Sequence, residues 1–155
     1  MSLTQSDADA LLILPKIFEP TVTEIDFSHV QTFSSVYELE GVGRPELFLL
    51  DLERGNRKRA RLKFQTRARK VHILARIDID GRPHTNPPEA PHRPGERFAG
   101  PHIHLYRAGF EDRVAFHPDE VPRFAIPDSG DDVAWLVAFL RLCNVAEIPP
   151  IQSLI

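Results

Sequence analysis

Two histidines stand one residue apart in "GPHIHLYRAG", residues 100–109. On a strand, residues i and i+2 point the same way, about 6.6 Å apart along it at ~3.3 Å per residue. Two imidazoles so placed can share one metal ion or divide general acid and base roles between them. Zinc would need a third protein ligand for a catalytic site and a fourth for a structural one. His84, in "PHTNPP", is the first candidate for that third place. His92, Asp78 and His72 are the others. The metal reading is therefore zinc, or another divalent transition metal, on His102, His104 and His84.

A second reading needs no cofactor. His102 and His104 would form an acid–base pair, Tyr106 would stack or share in proton transfer, and nearby cations would stabilise a pentavalent phosphate during RNA cleavage. A third reading is structural. The histidines would hydrogen-bond the neighbouring proline-rich loop, where Thr85 and Asn86 commonly bond local backbone.

The cations are concentrated. Residues 54–70, "RGNRKRARLKFQTRARK", carry nine of the 19 Lys and Arg and no acid. On a strand, Arg57, Arg59, Arg61 and Lys63 share one face, and Arg76 joins them if the next strand is adjacent. Such a band is the electrostatic footprint of an RNA or DNA phosphate site. The plain alternative is a solvated hairpin whose charges protect a sheet edge. The net charge of −3 supports no argument for nucleic acid from the chain as a whole.

These residues need a sheet to position them. "PELFLLDLE" (45–53) and "RKRARLKF" (57–64) flank Gly55-Asn56, a hairpin signal. In "RKVHILARIDID" (69–80), Val71, Ile73, Ala75, Ile77 and Ile79 alternate along one face. The opposite face would hold His72, Leu74, Arg76, Asp78 and Asp80. Six of the 14 prolines fall in 83–101, so the 82–101 segment reads as a long loop that cannot ladder into a sheet. "HIHLYR" (102–107) and "RVAFHP" (113–118) read as two further strands.

Residues 6–14 predict a short helix capped by Ser6, ended by Pro15. After Ser129 as N-cap, Val133, Leu136, Val137 and Leu140 make a core-facing helical stripe. The expectation is a single α+β domain over 1–155. It would be an antiparallel β-meander of about five strands, with an N-terminal and a C-terminal helix packed on one face. The other face would be wet and would carry the working surface, roofed by the 82–101 loop. Asp78, His84 and Asn86 would support it.

The 42% apolar content permits a real core. The lone Cys143 excludes an intrachain disulfide and reads as a buried thiol. No signal peptide pattern and no run of 18 apolar residues is present, so the expected location is cytoplasmic, with no membrane partner. Beside nucleic acid, a host protein is the remaining partner class.

Taken together, "LLILPK", "LDLERGNRKRARLKFQTRAR", "RIDIDGRPHTNP", "GPHIHLYRAGFEDRVAF" and "FLRLCNVAEIPPIQ" resemble a family of short bacterial proteins of unknown function, often met in prophage surroundings. The resemblance covers about residues 10–152. It implies that Arg76, Asp78, His84, Asn86, His102, His104 and Tyr106 occupy the family's motif positions. It carries no activity. The mobile-element setting is what suggests a non-catalytic protein-binding module as a further alternative.

Overall fold

The computed structural model describes residues 2–28, 31–55, 61–80, 83–128 and 130–154. Two helices flank the chain's strands. Helix α1 (Gln5–Ile13) begins one residue before Ser6, because Thr4 supplies the cap: its Oγ1 accepts the Asp7 N–H at 3.0 Å. Helix α2 (Asp132–Leu142) is capped by the Asp131 carboxylate on the Val133 N–H at 3.0 Å. Ser129 lies outside the described residues. The α2 stripe that is buried is Leu136, Phe139, Leu140 and Leu142, while Val133 and Val137 are only half-buried.

The main sheet has seven strands, two more than the sequence pattern suggests. In spatial order they are β1 (Lys16–Phe18), β3 (Phe33–Gly41), β4 (Leu47–Arg54), β5 (Leu62–Ala68), β6 (His72–Asp78), β9 (His102–Leu105) and β10 (Ala115–Phe116). Every neighbouring pair in it is antiparallel. Strand β1 is too short for alternation to reveal it. Two small pairs stand apart. Strand β2 (Ile25–Ser28) takes β11 (Ile151–Leu154) in parallel. Strands β7 (His84–Thr85) and β8 (Arg97–Phe98) pair inside the proline-rich loop. That loop does ladder, but only through two residues near each end, His84–Thr85 and Arg97–Phe98, which are free of proline.

The hairpin from β4 to β5 closes with the Gly55 N–H on Arg61 O at 3.0 Å. Residues 56–60, including Arg57 and Arg59, lie outside the described residues. The turn from β5 to β6 uses Arg69 and Lys70 at φ 53° and 69°. Two positive φ values in succession match the twist of a tight hairpin, so β6 starts at His72 and not at Arg69.

Helices α1 and α2 cover one face of the sheet, as expected. Phe48, Leu50, Leu52, Leu62, Phe64 and Ile77 point into that core. The Phe64 ring meets Phe27 at 6.1 Å and Phe139 at 6.2 Å between centroids. A fully buried side chain of this kind contributes roughly 1.5–3 kcal/mol relative to exposure.

Candidate metal centre

Antiparallel register aligns the opposite face in rows. One row runs Ser34, Glu53, Lys63, Asp78, His102 across five strands. The next runs Val36, Asp51, Gln65, Arg76, His104. Directly paired residues share a face, so the sheet brings Lys63, Arg76, Asp78, His102 and His104 together.

Three residues of the expected face leave it, His72, Leu74 and Tyr106; Leu74 is buried in the core. The pairing slips between Thr66 and Arg67, leaving Leu74 as an extra residue on β6. Such a bulge reverses the alternation beyond it. His72 therefore pairs with Ala68 on the other face, and Ile73 faces Arg67. Tyr106 lies beyond β9. Its hydroxyl accepts the Leu3 N–H at 2.9 Å and donates to Leu3 O at 3.1 Å. It ties down the N-terminal segment and does not reach the histidines.

Nor is the face wet at its end. His102 and His104 are 2% and 1% exposed, because the 84–98 segment lies over them. Asn86 holds that segment. Its amide donates to His92 O, Arg93 O and Ala115 O, and its Oδ1 accepts from the Ala115 N–H at 2.8 Å. Glu96 pairs with His117 at 2.6 Å, and Glu120 binds both His92 and Arg93. Phe98 is buried against His102 and His117. His84 stands at the site's edge, its ring 4.5 Å from that of His104 and 6.0 Å from that of His102. Its Nε2 is spent on Asn86 Oδ1 and Arg113 O, both at 3.0 Å.

Hydrogen bonds fix the tautomers of the pair. His102 Nδ1 lies 2.8 Å from Gly100 O, and His104 Nδ1 lies 2.9 Å from Asp112 O. A carbonyl only accepts, so both Nδ1 atoms carry the proton and both neutral rings present an Nε2 lone pair. Each Nε2 then stands 3.4 Å from Asp78 Oδ2. Among the described residues, Asp78, His102 and His104 are the group whose donor atoms converge, all within 4.8 Å of one another. The third member of this cluster is thus Asp78, and His84 stands outside it.

His104 Nε2 accepts from Arg76 Nη2 at 2.9 Å. His102 Nε2 is buried and has no hydrogen-bond partner, so its 3.4 Å approach to Asp78 brings two acceptors together without a proton aligned between them. Arg76 also reaches both Asp78 oxygens, at 3.1 and 3.2 Å, and Asp112 Oδ2 at 2.9 Å. Burial acts to raise the Asp78 carboxyl. The Arg76 charge, bonded to both oxygens, works against that and lowers the Asp78 carboxyl. Burial, more than any other cause, lowers the His104 pKa and keeps that ring neutral.

Asp112 is the residue that the sequence pattern misses. In "GFEDRVAF" it reads as half of a surface ion pair. Here it positions both Arg76 and His104, and only its place opposite β6 across a turn reveals that.

Several cations of the band face acids where it is described. Lys63 faces Glu53 at 3.5 Å, Arg67 holds Asp51 at 2.7 Å, and Arg69 holds Glu46 at 3.0 Å. Arg61 is half-exposed at the end of its hairpin.

Residues 3–145 match the model of a family described as a family of unknown function (DUF6978). The chain belongs to that family. No curated protein and no solved structure matches it. No described helix is long and apolar enough to cross a membrane.

Proposed function

We propose that the chain is a divalent-metal-dependent enzyme whose ion is held by His102 Nε2, His104 Nε2 and Asp78 Oδ2. One observation carries this reading: the two distances of 3.4 Å between Asp78 Oδ2 and the Nε2 atoms. Ligands at 2.0–2.1 Å around a tetrahedral zinc ion stand about 3.3 Å from one another. The orphaned lone pair of His102 and the backbone carbonyls behind both Nδ1 atoms support it, because metal-bound histidines usually donate their other N–H in this way. Three protein donors leave one position for water or substrate, the pattern of a catalytic centre. A metal there would supply a Lewis acid or an activated water.

Arg76 is the competing cation. Its Nη2 must leave His104 for a metal to enter, and Asp112 keeps the guanidinium nearby. Beside an open metal position, that guanidinium suits an oxygen anion on the substrate, a carboxylate or a phosphate. Binding of nucleic acid through Arg57, Arg59, Arg61, Lys63 and Arg76 has less support, since Lys63 and Arg76 already face carboxylates.

Chelator-stripped protein titrated with Zn(II), Co(II), Mn(II) and Fe(II) tests the reading. One equivalent should bind and raise Tm, and Co(II) should give a tetrahedral absorption spectrum. The Asp78→Ala/His102→Ala double variant, checked for fold by circular dichroism, should lose both effects. Arg76→Met should bind at least about ten-fold more tightly, a difference of ~1.4 kcal/mol. Retention of metal by the double variant would sink the proposal. So would the absence of any Tm rise in both the wild type and Arg76→Met.

A further inference from the structure

On the other side of β9 from His104, the helices and the sheet line an open pocket of about 190 Å³. Its walls are apolar. Leu12 comes from α1, Leu74 from the bulge in β6, Leu105 from β9 and Leu142 from the end of α2. Two arginines, Arg107 and Arg123, also line it, together with one acid, Asp9.

Each guanidinium is anchored by a single N–H to a main-chain carbonyl. Arg107 Nη1 donates to Tyr106 O and Arg123 Nη2 to Leu142 O, both at 2.7 Å. Arg107 also lies over the Phe116 ring, 4.9 Å from its centroid, and among the described residues no other hydrogen bond occupies either guanidinium. Neither arginine has a carboxylate at hydrogen-bonding distance among the described residues. Asp9 stands 4.0 Å from Arg107, with its own side chain 64% exposed. Arg107 is half-buried, and burial lowers its pKa, so a counter-ion at this depth is screened less than one at the surface. Arg123 holds a left-handed backbone (φ 69°), a conformation that costs an L-residue energy.

Apolar walls beside two guanidinium groups, Arg107 half-buried and Arg123 exposed, match a ligand with an oily body and an anionic head. We infer that this cavity binds a small organic acid, an apolar chain ending in a carboxylate. The chain would lie against Leu12, Leu74, Leu105 and Leu142, and the carboxylate would take the free donors of Arg107 and Arg123. The inference is independent of the metal centre, which faces the opposite side of the sheet.

Sodium octanoate is the probe, followed by isothermal titration and by amide shifts in ¹H–¹⁵N spectra. Saturable one-to-one binding is expected, with shifts centred on the cavity. 1-Octanol lacks the charge and acetate lacks the chain, so both should bind at least ten-fold more weakly. Arg107→Gln should weaken octanoate at least ten-fold. Because Arg123 also caps α2, Leu12→Trp gives a second variant that fills the cavity without touching either charge. It should abolish binding while the far-ultraviolet circular dichroism is unchanged. The inference is overturned if octanoate does not saturate, if octanol binds equally well, or if Leu12→Trp still binds octanoate like the wild type.

Discussion

At the scale of single residues, two buried polar groups define the molecule's chemistry. His102 Nε2 is a lone pair held against a carboxylate with nothing aligned between them, an arrangement that only a cation or a proton relieves. Lys16 is the reverse, a buried donor with three carbonyl acceptors. Its Nζ donates to Leu12 O, Leu14 O and Cys143 O at 2.8, 3.0 and 2.7 Å. It thereby joins the C-terminal ends of α1 and α2, where a positive charge is favoured. The groups around it are the Cys143 thiol, the Arg123 guanidinium and the Phe48 ring. Burial, the largest cause, lowers its pKa from 10.5 to about 8. The unfolded chain then binds more protons between those values, so stability rises with pH from about 8. The full difference corresponds to about 3 kcal/mol. Burial also pushes the Cys143 thiol up to about 12, which lowers stability above the ordinary thiol pKa near 9. The Lys16 effect therefore stands clear between pH 8 and 9. Urea midpoints should rise over that interval in the wild type and stay flat in Lys16→Met. An equal rise in both would rule the lysine out as its source.

At the scale of elements, a bulge and a loop build the site. The extra residue at Leu74 turns His72 away and leaves Arg76 and Asp78 beside β9. The loop from β7 to β8 then seals the histidines from water. Asn86 is its anchor, because its side chain pairs with both the N–H and the C=O of Ala115 as a neighbouring strand would. Asn86→Ala strands several buried backbone groups at once, each costing about 1–3 kcal/mol when unpaired. Removal of this side chain should destabilise the protein by about 2–4 kcal/mol, read from urea denaturation. It should also open the tryptic site after Arg97 before the rest of the chain is cut. Uniform cleavage across the chain would mean that the loop is held by its ion pairs instead.

At the scale of the whole molecule, the exposed sheet face is a ladder of alternating charge. Glu53, Lys63 and Asp78 lie in one row and Asp51, Gln65 and Arg76 in the next. Alternation of this kind weakens the far field to which a phosphate backbone responds. Labelled RNA, titrated by fluorescence anisotropy over a series of salt concentrations, should give a log–log slope no steeper than about −2, or two to three phosphates. A slope of about −5 or beyond would restore the basic hairpin as the working surface. The apolar cavity and the histidine centre lie on opposite sides of one strand, so Leu105 and His104, adjacent in sequence, serve different sites.

Local pattern in the chain was enough for the α+β class, for the two terminal helices on one face, and for the pairing of His102 with His104 on a single strand. Those features follow from periods of 3.6 and 2 residues, which are properties of neighbours in sequence. It was also enough to nominate Asp78 and Arg76 for the same face. Tertiary structure decided the rest. The bulge that removes His72, the Leu3 backbone that takes Tyr106 and the Asn86 anchor that buries the histidines all depend on partners more than 25 residues away or on a one-residue slip. The neutralising acids of β4 were in plain view at Asp51 and Glu53, yet only register sets them against Lys63 and Arg67. A basic run in sequence becomes a basic surface only where the neighbouring strand leaves it unpaired, and β4 sets acids against Lys63 and Arg67.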